Sequence, residues 1–598
     1  MWGPREVVTL QLGHYAGSVG AHWWGLQEAS FCTDPVDKKS NEGIRHDVLF
    51  RAGETLQGQE TYTPRLIVMD LKGSLSSLKQ EGCLYQDTKT NTPVAWKGKL
   101  TAHQEETSPK NPFLKDLNRS QGGTSPSGNF APRTPHGGKD RTLLLEGQDK
   151  ASKEPNMEST MHVWSDFLRT HLHPRSILTI HQYNHEGESS RLEAFGQGEK
   201  LLQDPTYLEE LEDRLHFYVE ECDYLQGFQV LCDLHNGFSG VGAKVTELLQ
   251  DEYTGKGILT WGLTPVHSVP NPQLSFYRLM NTVLGLVHLS SHSSLFCPLS
   301  LNGRLGLRPE PPVALPYVHY DASLDYHTSA ILATALDTCT VPYRLQASTI
   351  SMAHLAEALN FSGRKVATAV TAVPFPVAPS QSLPDALCAH QSGLPWSPLS
   401  SCGEQRGIRC FAQSAVLRGI AKEHLVSKPP PGCEPKSVLH MSETGEEVLA
   451  RYLYTVSPTT LSSTVHLLQS PCQLLAPYPQ YFSPLLDKQG FLLDAPARAS
   501  ATLPLNRKTP ASISISSFHP PDVESIPVIA ALQSSAVLHG TLGAFYKELR
   551  HLDVRRWASF FSAGVELDDF QEALEELRTL SQCYRESGSE EESEEEVD

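Results

Sequence analysis

Residues 5–24 read REVVTLQLGHYAGSVGAHWW, and this stretch predicts a strand that leads through a glycine-rich turn into a helix. VVTLQLG is a short apolar run that ends at a glycine, which is typical of a buried strand. AHWWGLQEA then predicts the beginning of a helix. A glycine-rich turn at a helix N-terminus suits phosphate, because free N–H groups and the positive end of the helix dipole face the anion. The alternative is a turn that serves only close helix packing.

A second glycine-rich segment, HNGFSGVG at 235–242, lies between the apolar strand GFQVLCDL and the helix AKVTELLQDEY. Strands that alternate with helices predict a parallel sheet, so both segments are expected at the same edge of one sheet. A competing interpretation is a serine hydrolase with Ser239 as the nucleophile. That pattern requires G-x-S-x-G, and Val241 stands at its last glycine position. Neither the P-loop pattern nor the Rossmann glycine pattern occurs in the chain.

Asp70 ends a third predicted strand, RLIVMDL. Ligands of open parallel sheets lie beyond the carboxyl ends of the strands, where an acid could hold Mg²⁺ or its waters. The alternative is a helix N-cap or a turn residue. The candidate nucleotide-binding residues are therefore Gly13, His14, Tyr15, Gly17, Asp70, Ser239, Gly240 and Gly242. No residue is predicted to be catalytic or to bind a metal directly.

Composition narrows the classes of function. The 598 residues include 49 Lys and Arg against 68 Asp and Glu, a net charge of −19, which argues against non-specific nucleic-acid binding. The sequence has no run of 18 apolar residues and no signal-like start, so we expect a cytosolic protein whose membrane contact is peripheral. Its 12 cysteines include no CxxC pair and are expected to be reduced thiols.

The chain is predicted to be an α/β protein with several parts. We expect a parallel-sheet domain at 1–100 and 161–320, interrupted by a disordered Ser/Gly/Pro-rich insertion at 101–160. Within it, MHVWSDFLRTHL at 161–172 predicts a helix, and Asp204 and Pro205 predict the start of another. A central helix at 321–340, a second α+β domain with loop insertions at 341–525 and C-terminal helices at 526–586 complete the prediction. The last segment, 587–598, is an acidic tail whose Ser589 and Ser593 suit an acid-directed kinase.

Several of these stretches resemble the tubulin/FtsZ family in the same order along the chain. REVVTLQLGHYAGSVGAHWW resembles the tubulin opening, and YTPRLIVMDLKGSL resembles Y-x-P-R-[apolar]-D-L-x-P-G. HNGFSGVG stands where tubulin has GGGTGSG. The other matches are FGQG at 195–198, LQGFQ at 225–229, AVPFP at 372–376, AVLRG at 415–419 and the last helices with the acidic tail. The long insertion, and the segments LHPRS and RLEAFGQGE that follow it, are more specifically similar to the Misato family.

The resemblance implies a tubulin-like fold with a guanine nucleotide, GTP or GDP, as the candidate cofactor, and it also exposes departures. Tubulin's cysteine beneath the guanine is Tyr15 here, and His14 replaces a glutamine near the phosphates. Phe238 occupies a glycine position. Where tubulin has an asparagine that reads guanine, the central helix carries Thr328. Ungapped counting back from V-P-F-P puts Ala367 where the family keeps an acid that activates water.

These departures predict that the fold is kept while GTP hydrolysis is lost. We expect a non-polymerising scaffold rather than an enzyme, with a degenerate guanine-nucleotide pocket. Resemblance to the Misato family implies a role in mitochondrial distribution, morphology and fusion, at the cytosolic face of the outer membrane. Expected partners are proteins at the mitochondrial surface, with tubulin and its chaperones as candidates. The alternative is an active GTP-dependent switch or polymer former with a role in spindle organisation.

Overall fold

A computed structural model describes most of the chain and shows two sheets joined by a buried helix. The described residues are 5–33, 43–54, 60–75, 161–185, 191–266, 271–306, 310–346, 350–390, 393–403, 407–427, 435–494, 522–552 and 555–586. The predicted disorder of 101–160 and of the acidic tail at 587–598 lies outside the described residues. No helix in the described ranges has the length and apolarity needed to cross a membrane.

The first sheet has six strands, and every neighbouring pair in it is parallel. The strands are β1 (Glu6–Leu12), β4 (Leu66–Lys72), β5 (Ile177–Asn184), β6 (Leu225–Asp233), β7 (Gly257–Leu263) and β8 (Leu295–Leu299). Their spatial order is β5-β4-β1-β6-β7-β8. A separate hairpin joins β2 (Phe50–Glu54) to β3 (Glu60–Pro64). Strands β1, β6, β7 and β8 are buried along their whole length, as mainly apolar strands predict for a sheet covered on both faces.

Five helices accompany this sheet. They are α1 (His14–Thr33), α2 (Phe195–Leu201), α3 (Pro205–Glu220), α4 (Phe238–Glu252) and α5 (Pro272–His292). Helix α3 begins as predicted, because Asp204 accepts a hydrogen bond from the Thr206 N–H and Pro205 takes the first helical position. Its buried side chains, Tyr207, Leu211, Leu215 and Tyr218, recur at helical spacing and cover the sheet.

The second sheet has five strands and contains both parallel and antiparallel pairs. Its strands are β9 (Thr368–Ala372), β10 (Ser397–Pro398), β11 (Cys410–Arg418), β12 (Ser462–Leu468) and β15 (Val528–Ser535). Their spatial order is β10-β9-β15-β11-β12, while β13 (Cys472–Gln473) and β14 (Ser525–Ile526) pair separately. The remaining helices are α6 (Asp325–Cys339), α7 (Met352–Leu359), α8 (Leu383–Ala389), α9 (Gly445–Val456), α10 (Val537–Arg550), α11 (Ala558–Ser562) and α12 (Leu567–Cys583). Helix α6 is buried from Tyr326 to Cys339 and is the predicted central helix.

The predicted α/β class is confirmed, with a parallel-sheet domain followed by a second domain that has its own sheet, but three local predictions are wrong. Helix α1 begins at His14, so the first glycine-rich segment forms helical turns rather than a loop before the helix. Residues 161–172 hold only a short 3₁₀ turn at Trp164–Asp166. The segment 526–586, expected to be helical, starts with the central strand Val528–Ser535 of the second sheet.

A buried ion-pair network, which we call the Asp337 network, connects the parts of the fold. Asp337 of α6 binds Arg344, at 2.9 Å, and Arg418 at the end of β11. Trp23 and Gln27 of α1 donate further hydrogen bonds to the same carboxylate. All three charged side chains are at most 4% exposed. One carboxylate therefore holds together the first helix, the central helix and the second sheet.

Candidate functional site

The two glycine-rich segments meet at one edge of the first sheet. Strands β1 and β6 are paired neighbours, so the helices that follow them, α1 and α4, begin side by side. Gly13 has a φ of +110°, which lets the chain turn from strand into helix without a side-chain clash. Its N–H donates to the Met69 carbonyl at 3.0 Å, which brings the neighbouring strand and Asp70 to the same place.

Asp233, the last residue of β6, caps the first turn of α1. One carboxylate oxygen accepts the Tyr15 N–H at 3.1 Å, and the other accepts the Ala16 N–H at 2.7 Å. These N–H groups belong to the first turn of a helix, where an anion is most favourable. A Cβ on Gly13 would lie 2.5 Å from Asp233 Oδ2. The glycine at 13 therefore makes room for a carboxylate of the chain itself.

Asp70 is enclosed by groups of its own strand and of two other segments. Its Oδ2 accepts the indole N–H of Trp164 at 2.8 Å and lies 3.4 Å from His14 Nδ1, while its Oδ1 accepts the Leu71 N–H at 2.7 Å. The indole also covers Gly17, where a Cβ would lie 2.7 Å from the Trp164 ring. Asp70 and Trp164 are each 1% exposed. The acid predicted to face Mg²⁺ is thus surrounded by hydrogen-bond donors.

Tyr15 fills the space between α1 and the central helix. Its ring is 2% exposed, and its hydroxyl donates to Thr328 Oγ1 at 3.0 Å. Burial, followed by the nearby charge of Asp325, raises the pKa of Tyr15 well above its ordinary value, so the phenol keeps the proton that it donates. The two residues that sequence comparison placed near a guanine therefore bind each other.

The second glycine-rich segment packs against protein backbone. A Cβ on Gly240 would lie 2.0 Å from the Phe195 carbonyl oxygen, and one on Gly242 would lie 2.5 Å from Cys232 Sγ. Phe238 and Ser239 are buried, and the Ser239 hydroxyl donates to the Asn236 carbonyl at 2.7 Å. A hydrolase nucleophile needs an exposed, activated Oγ, and this arrangement does not provide one.

The charges at this edge are strongly coupled. Burial and the neighbouring Asp70 raise the pKa of Asp233 to about 7, although the Tyr15 and Ala16 N–H groups oppose the shift. Burial would also raise the pKa of Asp70, but His14 and the Trp164 indole lower it overall. Burial lowers the pKa of His14, but Asp70 and the more distant carboxylates raise it by more, so the pKa lies above its ordinary value. Near Asp233, Asp70 is therefore a carboxylate, and His14 holds a proton more readily than an ordinary histidine.

Replacing Asp233 by asparagine should reduce the dependence of stability on pH. The folded carboxyl, with a pKa of about 7 against an ordinary 3.8, retains a proton that the unfolded chain releases. Stability from this group is therefore present at low pH and is lost as pH rises to about 7. Between pH 5 and pH 8 we expect the wild type to lose about 2–3 kcal/mol more unfolding free energy than Asp233→Asn. Urea unfolding at several pH values measures this, and parallel pH profiles of the two proteins would contradict it.

The structure brings the predicted residues together, but two residues that fill the site were not predicted. Asp233 and Trp164 provide the carboxylate and the indole described above. Asp233 ends a strand directly before a glycine-rich segment, the same signal that singled out Asp70. Trp164 lay in a segment predicted to be helical, and no sequence pattern pointed to its role.

Ala367, the position counted as the missing acid, belongs to the packed interior. It is buried beside β8, and its N–H donates to the Phe296 carbonyl at 2.9 Å. The preceding helix α7 carries an exposed acid, Glu357. The expected loss of a water-activating acid stays a prediction.

The residues present do not fit a guanine nucleotide as they are arranged. A phosphate at α1 would compete with the Asp233 carboxylate for the Tyr15 and Ala16 N–H groups, and Trp164 covers Gly17. In the described ranges, His, Cys, Asp and Glu form no group of three or more that could hold a metal ion. Binding of the nucleotide's phosphate, of its guanine base or of Mg²⁺ would each require one of the protein's own side chains to move away.

Comparison with known proteins identifies two matching family models. Residues 5–119 match the Misato Segment II tubulin-like domain, and residues 154–345 match the Tubulin domain. The chain is 56% identical to Protein misato homolog 1 of Bos taurus over 97% of this chain and 98% of that protein. It is 56% identical to the Homo sapiens protein of that name, over 98% of each chain, and 46% identical to the Danio rerio one, over 99% of each.

Proposed function

Because the chain belongs to the Misato family of tubulin-like proteins, we propose that it is a scaffold with a tubulin fold that neither polymerises nor hydrolyses GTP. In this proposal the chain's own side chains occupy the place of the nucleotide. The family resemblance further leads us to propose that the scaffold organises mitochondria, affecting their distribution, morphology and fusion.

The observation that carries the proposal is the contact between Asp233 and the first turn of α1. A carboxylate and a phosphate oxygen compete for the same N–H donors, and the carboxylate is covalently part of the fold. Asp233 therefore acts at a very high effective concentration, because its strand already holds it in place. Tyr15 bound to Thr328 and Trp164 over Gly17 would have to move as well.

Extraction of bound nucleotide tests the proposal. Protein purified from cells under native conditions is denatured, and the supernatant is separated by ion-exchange chromatography with detection of guanine nucleotides. We expect less than about 0.1 nucleotide per chain, because an internal carboxylate already satisfies the donors. Tubulin carried through the same procedure serves as the positive control.

Two results would contradict the proposal. One is guanine nucleotide near one per chain in the extract. The other is steady GTP turnover that rises with protein concentration, which would instead indicate the GTP-dependent switch or polymer. Either result would require Asp233 to leave the first turn of α1.

We also propose a place of action. The scaffold would be cytoplasmic and would attach peripherally to the cytosolic face of the mitochondrial outer membrane. The tail at 587–598 has seven acidic and no basic residues, and such a charge is repelled by anionic lipid headgroups. Attachment would therefore use protein partners, with tubulin or its chaperones as candidates, and would not involve nucleic acid.

A further inference from the structure

The second domain contains a cavity that lies outside the nucleotide-related edge of the first sheet. It has a volume of about 640 Å³ and lies between α8, α9 and the adjoining ends of β11 and β15. This volume falls within the range of roughly 300–1,000 Å³ that small-molecule sites occupy. The cavity is large enough to hold an organic ligand.

The described part of its wall is mainly apolar and carries no formal charge at neutral pH. Aliphatic side chains such as Leu387, Leu394, Ile408 and Leu439 make up much of the lining. None of the described lining residues is Lys, Arg, Asp or Glu. His390 is the lining imidazole, and partial burial lowers its pKa. A charged ligand would lose its hydration here without gaining a counter-charge.

Three lining residues have buried polar atoms without a partner in the described part of the chain. They are Trp396, through its Nε1, Tyr452, through its hydroxyl, and Ser535, through its Oγ. Each residue is at most 7% exposed. Buried polar groups are almost always hydrogen-bonded in native proteins, and an unpaired one costs about 1–3 kcal/mol. All three atoms belong to residues that line this one cavity.

The chemistry of these atoms narrows the class of ligand. Indole Nε1 only donates, so it requires an acceptor such as a carbonyl, ether or hydroxyl oxygen. Trp396 and Tyr452 also stand edge to face, with ring centroids 6.2 Å apart, and offer aromatic surface to an apolar body.

We propose that this cavity binds a neutral, mainly apolar small molecule that carries an oxygen acceptor for Trp396. The mouth supports entry from outside, since Val438 and Val456, two of the lining residues, are 64% and 36% exposed. The site is independent of the nucleotide question, because its described lining residues lie between 387 and 535, away from the edge of the first sheet.

Titration with Nile red, a neutral apolar dye with a carbonyl oxygen, tests the proposal on the full-length chain. We expect saturable blue-shifted fluorescence at one dye per chain. Trp396→Phe removes the donor and should raise the dissociation constant about three- to tenfold. Val456→Trp places a large ring at the mouth and should raise it at least about tenfold.

Leu461→Trp is the matched control, because Leu461 is 63% exposed, lies close in sequence to Val456 and does not line the cavity. It should bind the dye as the wild type does. Leu394→Trp, on another part of the wall, repeats the blocking test in case Val456→Trp unfolds. Dye binding without saturation, or equal binding by the blocking and control variants, would overturn the proposal.

Discussion

Replacing Asp337 by alanine is expected to lower the free energy of unfolding by about 3–5 kcal/mol, measured by urea denaturation. The substitution leaves the Arg344 and Arg418 guanidinium groups buried without their counter-charge, and removing one partner of a buried ion pair has this cost. Trp23 and Gln27 of α1 lose an acceptor at the same time. Because the network joins the first helix, the central helix and the second sheet, the loss should reduce the cooperativity of unfolding as well.

Glu524→Ala is the control for Asp337→Ala. Glu524 pairs with Lys488 at 3.1 Å, but both side chains are more than 60% exposed, and such surface pairs contribute about 0–1 kcal/mol. Asp337→Asn retains the shape of the side chain and removes the charge, so it should fall between the two. If Asp337→Ala costs no more than Glu524→Ala, the network does not hold the fold together.

Replacing Trp164 by alanine is the second substitution with a large expected effect, about 3–5 kcal/mol of unfolding free energy. The side chain is 1% exposed, and deletion of a buried indole leaves a cavity that the surroundings fill only in part. The substitution also removes the donor to Asp70 at 2.8 Å. Chemical denaturation at pH 7 measures the loss.

Trp164→Phe separates the hydrogen bond from the packing. It should cost about 1–3 kcal/mol, because one oxygen of the buried Asp70 carboxylate loses its indole donor. Trp24→Phe is the matched control, since Trp24 is also fully buried but its Nε1 has no acceptor among the described residues. We expect this control to lose less than about 1.5 kcal/mol. Equal losses at positions 164 and 24 would show that the bond to Asp70 contributes nothing.

Much of the fold could be predicted because local patterns and tertiary structure agree. The mainly apolar sequences of β1 and β6 follow from burial on both faces, and the cap at Asp204 depends only on neighbouring residues. The 161–172 segment was mispredicted for a physical reason. Its Trp164 binds a distant carboxylate, and Asp166 accepts the N–H groups of His162 and Val163 in a local turn.

The candidate site was predictable in position but not in content. Glycines at a strand–helix junction are compatible with a phosphate and equally with a close protein side chain. Gly13 faces Asp233 and Gly17 faces Trp164, and these partners are separated from them by more than 140 positions in the sequence. Only the fold shows which of the two uses of glycine applies.

The most direct test of the central claim is a crystal structure of the protein grown with millimolar Mg²⁺ and GTP. We predict that Asp233 will still accept the Tyr15 and Ala16 N–H groups and that no nucleotide density will appear beside them. Density for a phosphate on those two N–H groups, with the Asp233 carboxylate turned away, would contradict the account.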